Sequence, residues 1–166
     1  SAHEGGAWVN DPAGWKYCYT DSTCAKGPLA IGADSYYFDE NGILGTGWVS
    51  YDGAWHWLGT SGRIATGWAK VADAWYYMDN SGAMTTGGTQ VRGPWFYLAD
   101  SGKMATGWTK IGDSWYYFQE SGAMATGWVN DGGTWYYLKE SGQMATGRVQ
   151  IDGTWYTFDK SGALRR

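Results

Sequence analysis

Gly107-Trp108-Thr109-Lys110-Ile111-Gly112-Asp113-Ser114-Trp115-Tyr116-Tyr117-Phe118-Gln119-Glu120-Ser121-Gly122-Ala123-Met124-Ala125-Thr126 is one period of a pattern that runs through the whole chain. Shifting by 20 residues superposes Trp15, Trp55, Trp75, Trp95, Trp115, Trp135 and Trp155, with Ser35 as the departure. A second column holds Trp8, Trp48, Trp68, Trp108 and Trp128, interrupted by Pro28, Gly88 and Arg148. A turn column runs Gly42, Gly62, Gly82, Gly102, Gly122, Gly142 and Gly162, with Ser22 in the first copy. The 166 residues therefore divide into eight copies, and a period this short marks a stacked repeat architecture.

Each copy reads as strand. Aromatic and β-branched residues come in short runs bounded by Gly-containing turns, the signature of a hairpin. Asp52-Gly53 separates Trp48-Val49-Ser50-Tyr51 from Ala54-Trp55-His56-Trp57-Leu58, and Asp152-Gly153 and Gly132-Gly133 recur in register. A two-residue hairpin turn needs positive φ, hence the Asp-Gly preference. A second turn such as Glu120-Ser121-Gly122 leads into a short strand, Ala123-Met124-Ala125-Thr126.

Alternation assigns the faces, because residues paired across a hairpin share a side. Trp48, Ser50, Trp55 and Trp57 fall on one face; Val49, Tyr51, His56 and Leu58 fall on the other. The second face is mostly apolar in other copies (Val71 and Met78, Ile111 and Phe118, Ile151 and Phe158) and is the expected core. The first face interleaves rings with a polar column: Asn10, Ser50, Lys70, Gln90, Lys110, Asn130 and Gln150. A lone hairpin is marginal, so the expected fold is an all-β solenoid of stacked hairpins. Residues 1–166 would form a single repeat domain whose first and last copies are atypical caps.

Composition narrows the function. With 13 Trp, 13 Tyr and 27 Gly but only 3 Pro, the chain is neither disordered nor collagen-like. Its formal charge of −4 argues against nucleic acid. No run approaches the roughly 18 apolar residues of a membrane helix, so no membrane insertion is expected. The N-terminus lacks signal-peptide features, and the chain is expected to be an excised piece. No Cys and His cluster has metal-ligand spacing. Asp39, Asp79, Asp100, Glu120, Glu140 and Asp159 recur at the second turn, so they read as turn formers rather than a catalytic pair. No enzyme activity, metal or cofactor is expected. His56 stands in for a core-face Tyr, and His3 lies in the leader.

Rings converging between adjacent hairpins leave a gap with electron-rich walls. Such a gap suits a quaternary ammonium, at about 0.5 to 2 kcal/mol per ring; the plainer reading is that the rings pack hairpin on hairpin.

The motif G-W-x(6)-W-Y-Y-[LFM]-x(2)-S-G-x-M-A-T resembles the choline-binding, or cell-wall-binding, repeat of bacterial murein hydrolases, phage lysins and surface proteins. The resemblance covers essentially the whole chain. It implies a superhelix of hairpins that binds choline or phosphocholine of teichoic acids in cages of about three aromatic side chains. It also implies a secreted, cell-wall-associated protein of bacterial or phage origin, fused to a catalytic or adhesin domain, with homodimerisation as a further option. Mapped onto this sequence, each cage takes the Gly-Trp ring, the first ring of W-Y-Y, and the last ring of the next copy's W-Y-Y. Four sets are complete: Trp8, Trp15 and Tyr37; Trp48, Trp55 and Tyr77; Trp68, Trp75 and Tyr97; Trp108, Trp115 and Tyr137. Three gaps are expected to be broken. Pro28 and Ser35 leave Trp57 without partners, Gly88 leaves Trp95 and Tyr117 as a pair, and Thr157 leaves Trp128 and Trp135 without a third wall.

Cys18 and Cys24 occupy columns that elsewhere hold Leu58 and Ile64, or Leu98 and Met104. A disulfide would staple the first hairpin and fit an extracellular protein; the alternative is two reduced core cysteines. Two other functions compete with choline binding. One is a carbohydrate module, because similar repeats occur in glucan-binding glucosyltransferases and toxin tails and the polar column could contact sugars. The other is a structural spacer or self-association module.

Overall fold

The computed structural model describes residues 5–166, so His3 lies outside the described residues. Among them the chain is all-β, with sixteen strands paired as eight antiparallel hairpins of sequence neighbours. In order, these are Ala7–Asp11 with Gly14–Cys18, Gly27–Ile31 with Asp34–Phe38, Trp48–Tyr51 with Ala54–Trp57, and Gly67–Val71 with Ala74–Met78. They continue with Gly87–Gln90 and Trp95–Leu98, Gly107–Ile111 and Ser114–Phe118, Gly127–Asp131 and Thr134–Leu138, and Gly147–Ile151 and Thr154–Phe158. Among the described residues no helix is long and apolar enough to cross a membrane.

The turns set the register. Asp52 and Gly53 adopt φ of 52° and 76°, the paired positive values that match a turn to the twist of its strands. Ser50 then pairs with Trp55 and Trp48 with Trp57, as the sequence predicts. The second turn needs glycine twice over: Gly162 has φ of 90°, and a Cβ there would collide with Met144.

The core forms where each second strand ends. Phe38, Leu58, Met78, Leu98, Phe118, Leu138 and Phe158 are all buried, on the face expected to be apolar. Beyond each second turn the chain does not form the expected short strand. It makes a single bridge, such as Phe118 with Met124 or Phe158 with Leu164. The reason is that its backbone serves two hairpins. The Ala125 N–H donates to the carbonyl of Tyr117 in its own copy at 2.8 Å, while the Met124 N–H donates back to Trp95 of the preceding hairpin at 2.7 Å.

The chain divides into two compact units, Ser1–Thr85 and Thr86–Arg166, each carrying four hairpins. Within the first, Leu44 donates to Trp15, Ile64 to Ser35 and Met84 to Trp55. Within the second, Met124 donates to Trp95, Met144 to Trp115 and Leu164 to Trp135. Each of these bonds fastens one hairpin to the carbonyl at the first position of the previous W-Y-Y, which is Trp in every case but Ser35. The first hairpin has one further staple, a disulfide between Cys18 and Cys24.

Candidate functional site

The rings that meet between hairpins are set by alternation along the second strand. Trp8 meets Tyr36 of the next hairpin with ring centroids 5.0 Å apart at 77°. Trp48 meets Tyr76 at 4.9 Å, Trp108 meets Tyr136 at 4.8 Å, and Trp128 meets Tyr156 at 5.0 Å. In every case the partner is the middle residue of the W-Y-Y column, not the last.

The rings expected as third walls make other contacts. Tyr37 stacks on Tyr51 at 4.3 Å. Tyr77 and Tyr137 lie edge-on to the Gly-Trp rings of their own hairpins, Trp68 at 5.0 Å and Trp128 at 5.1 Å. Tyr97 packs toward Phe118 at 6.4 Å. The physical cause is the direction of stacking. At these four junctions a hairpin presents its Trp face to the opposite face of the next one. The third ring is therefore one residue away, where strand alternation has reversed the side chain. The last ring of W-Y-Y instead braces the Gly-Trp across its own hairpin, as Tyr17 braces Trp8 at 5.3 Å and Tyr117 braces Trp108 at 4.9 Å.

Two gaps show the full arrangement. The first is an open cleft lined by Trp8, Trp15, Tyr36, Leu44, Ser61 and Arg63. The other is lined by Trp128, Trp135, Tyr156, Leu164, Arg165 and Arg166. In the second, Trp128 and Trp135 stand nearly perpendicular, at 85° and 6.3 Å, so one flat wall and one upright wall meet the Tyr. Thr157 is not among the residues lining this gap, and Tyr156 is. Trp8, Trp15, Trp128 and Trp135 owe their positions to the hairpin register, in which Asn10 opposes Trp15 and Asn130 opposes Trp135. Trp15 keeps 46% of its surface exposed, a large apolar area left uncovered at a concave site. In the Trp108 gap the indole Nε1 donates to Asp131 of the next hairpin at 2.9 Å, which fixes the ring plane.

Leu44 and Leu164 form apolar walls that the sequence reading did not assign. Their backbone N–H groups bond to Trp15 and Trp135. The basic side chains are also new. Arg63 pairs with Asp34 at 3.3 Å, and its hydrogen bond with Tyr36, followed by the Asp34 charge, holds its pKa above the ordinary value.

The remaining gaps differ. Where Pro28 and Ser35 replace both Trp residues, Tyr37, Tyr51 and His56 form a continuous stack, with Tyr51 and His56 at 3.6 Å. Burial, then the Asp52 and Tyr37 charges, pushes the Tyr51 hydroxyl pKa up. Where Gly88 replaces Trp, the ring contributed to the gap by the next hairpin is Tyr116 rather than Tyr117. In the last hairpin Arg148 occupies the Trp column, and its guanidinium lies 4.2 Å from the centre of the Trp155 ring.

Three members of the polar column are engaged within their own hairpins. Gln90 Nε2 donates to the Gly93 carbonyl at 2.7 Å and Gln150 Nε2 to that of Gly153 at 3.4 Å. Asn130 Oδ1 accepts from the Gly133 N–H at 3.0 Å. These side chains brace the first turns of their own hairpins. Asp39, Asp79 and Asp159 have a similar local duty: Asp39 Oδ1, for example, accepts from the N–H groups of Asn41 and Ile43. Among the described residues no group of three or more His, Cys, Asp or Glu could hold a metal ion.

Comparison with known proteins places this geometry. The choline-binding repeat family matches residues 65–106, 105–148 and 125–166, and a cell wall binding repeat matches residues 46–64. CbpJ from Streptococcus pneumoniae TIGR4 is 39% identical with a TM-score of 0.88, over 92% of this chain and 56% of that one. Choline-binding protein F from Streptococcus pneumoniae, solved with a peptidoglycan analogue, is 34% identical with a TM-score of 0.90, over 98% and 58%. The pneumococcal cell wall endolysin from phage Cp-1, complexed with choline, is 32% identical with a TM-score of 0.52, over 75% and 40%. The chain thus spans little more than half the length of the CbpJ and choline-binding protein F structures. Comparison with curated proteins gives no match.

Proposed function

Because the chain belongs to the choline-binding repeat family, we propose that it is a non-catalytic attachment module that holds choline or phosphocholine groups of cell-wall teichoic acids in the gaps between consecutive hairpins. The protein acts outside the cell at the wall and carries a fused partner domain there. The observation that carries this reading is the recurring set of Gly-Trp, first W-Y-Y ring and middle Tyr of the next copy. Each ring within about 6 Å of an ammonium contributes about 0.5 to 2 kcal/mol, so a single cage is a weak site. Several cages in one chain raise the avidity well beyond that of one.

Two details of the chain support a cationic, phosphorylated ligand. Arg148 over Trp155 is an internal instance of a cation held on one of these Trp faces. Arg63, Arg165 and Arg166 sit at the clefts of the Trp8 and Trp128 cages, where a phosphate attached to the bound ammonium would meet a guanidinium. The carbohydrate alternative loses ground because Gln90, Asn130 and Gln150 are engaged with their own turns. Retention on a quaternary-amine resin with elution by choline but not by glucose is the expected result; elution by glucose would favour the carbohydrate reading.

A further inference from the structure

The copy with Gly88 is not simply a damaged cage. Gly88 lies in the strand Gly87–Gln90, outside the left-handed region of φ, and a Cβ there would meet nothing nearer than Trp95 carbon atoms at 4.0 Å. Neither backbone conformation nor crowding demands glycine at this position. What the missing indole does is open the floor of the gap. In complete copies that indole lies over the buried aromatic residue of the next hairpin, Trp8 on Phe38 at 5.7 Å and Trp128 on Phe158 at 5.8 Å. At the Gly88 gap the corresponding residue, Phe118, lines a cavity of about 310 Å³ together with Trp95, Tyr97, Tyr116 and Met124. This volume does not exceed the 400 and 520 Å³ of the more open Trp8 and Trp128 clefts. The difference is depth, because the cavity reaches Phe118 through the space an indole would fill.

The walls still suit a cation. Trp95 is 45% exposed, Tyr116 provides the middle ring, and Glu140 lines the cavity from the following copy. Among the described residues the Glu140 carboxylate makes no hydrogen bond and no ion pair. A mostly apolar cavity with one convergent charge is the usual form of a small-molecule site.

We infer that the Gly88 gap binds an organic ammonium that carries its own ring. The ring would take the place of the absent indole over Phe118, and the ammonium would face Trp95, Tyr116 and the Glu140 carboxylate. This rests on the reading of the complete gaps as ammonium cages, but it adds a ligand class that those gaps do not select.

The test is calorimetric titration of benzyltrimethylammonium into the full chain saturated with choline. One residual site is expected. Gly88→Trp should abolish that site and add one choline site. Glu140→Gln, a surface change that leaves packing alone, should weaken it about two- to fivefold, as removal of a solvent-exposed charge partner does. No residual site, a site unaltered in Gly88→Trp, or N-acetylglucosamine binding there instead would overturn the inference. If choline itself binds nowhere on the chain, the cage reading fails; if choline binds but benzyltrimethylammonium adds nothing, only this inference fails.

Discussion

Tyr36 lies edge-on to Trp8 across the junction of the first two hairpins, with ring centroids 5.0 Å apart, while its neighbour Tyr37 turns away to stack on Tyr51. One peptide unit separates a residue that lines the aromatic gap from one that does not, and this sets the sharpest prediction. Tyr136→Ala should remove about one choline site, at a cost of about 0.5 to 2 kcal/mol for the lost ring, and leave the remaining sites intact. Tyr137→Ala should keep the Trp108 site but loosen Trp128, which Tyr137 braces at 5.1 Å. Choline calorimetry on the two variants separates the roles, and equal losses of the Trp108 site would contradict them.

Arg63 predicts a difference between ligands. Arg63→Gln should leave free choline binding at the Trp8 gap unchanged and weaken phosphocholine there by about fivefold or less, the modest effect of an exposed ion pair. Titration with both ligands tests it. An equal loss for both would place Arg63 in holding Tyr36 rather than the phosphate.

Acid stability follows from the second turns. The Ser81 hydroxyl, aided by the Ala83 and Ser81 backbone N–H groups against a desolvation cost, holds the Asp79 carboxyl below its ordinary 3.8. A carboxyl depressed on folding adds stability that is present above its unfolded pKa and lost as pH falls through the folded one. The melting difference between wild type and Asp79→Ala should therefore be full above pH 3.8 and shrink as pH drops further. A difference that does not change with pH would refute the assignment.

The disulfide acts locally. Cys18 and Cys24 are 6 residues apart, and closing so short a loop stabilises by about 2 kcal/mol in the chain-entropy account. Replacing both with Ala should lower the stability of the unit Ser1–Thr85 by about that amount. The choline sites of Thr86–Arg166 should be unaffected. Denaturation followed by Trp fluorescence, with choline titration in parallel, checks both outcomes.

The period, the hairpins and their register were legible because each follows from local rules. Asp52-Gly53 sets the pairing of Trp48 with Trp57, and alternation sends Leu58 and Phe118 to the core. The third wall was not legible, since which face of one hairpin meets the next is a tertiary choice. Tyr36, Tyr76, Tyr136 and Tyr156 nevertheless left a trace: the middle column of W-Y-Y keeps an aromatic or His residue in every copy except the first, where it is Lys16. The last column fails instead at Thr157, in a copy whose Gly-Trp position is Arg148 and so has no indole to brace. The polar column misled for a related reason, because side chains such as Asn130 and Gln90 can turn inward to their own turns as readily as outward to a ligand.

The most direct test of the central claim is a crystal structure of the chain grown with choline. The account predicts a trimethylammonium group between Trp8, Trp15 and Tyr36 and another between Trp128, Trp135 and Tyr156. Choline seated against Tyr37 in place of Tyr36, or both gaps lacking choline at saturating concentration, would contradict it.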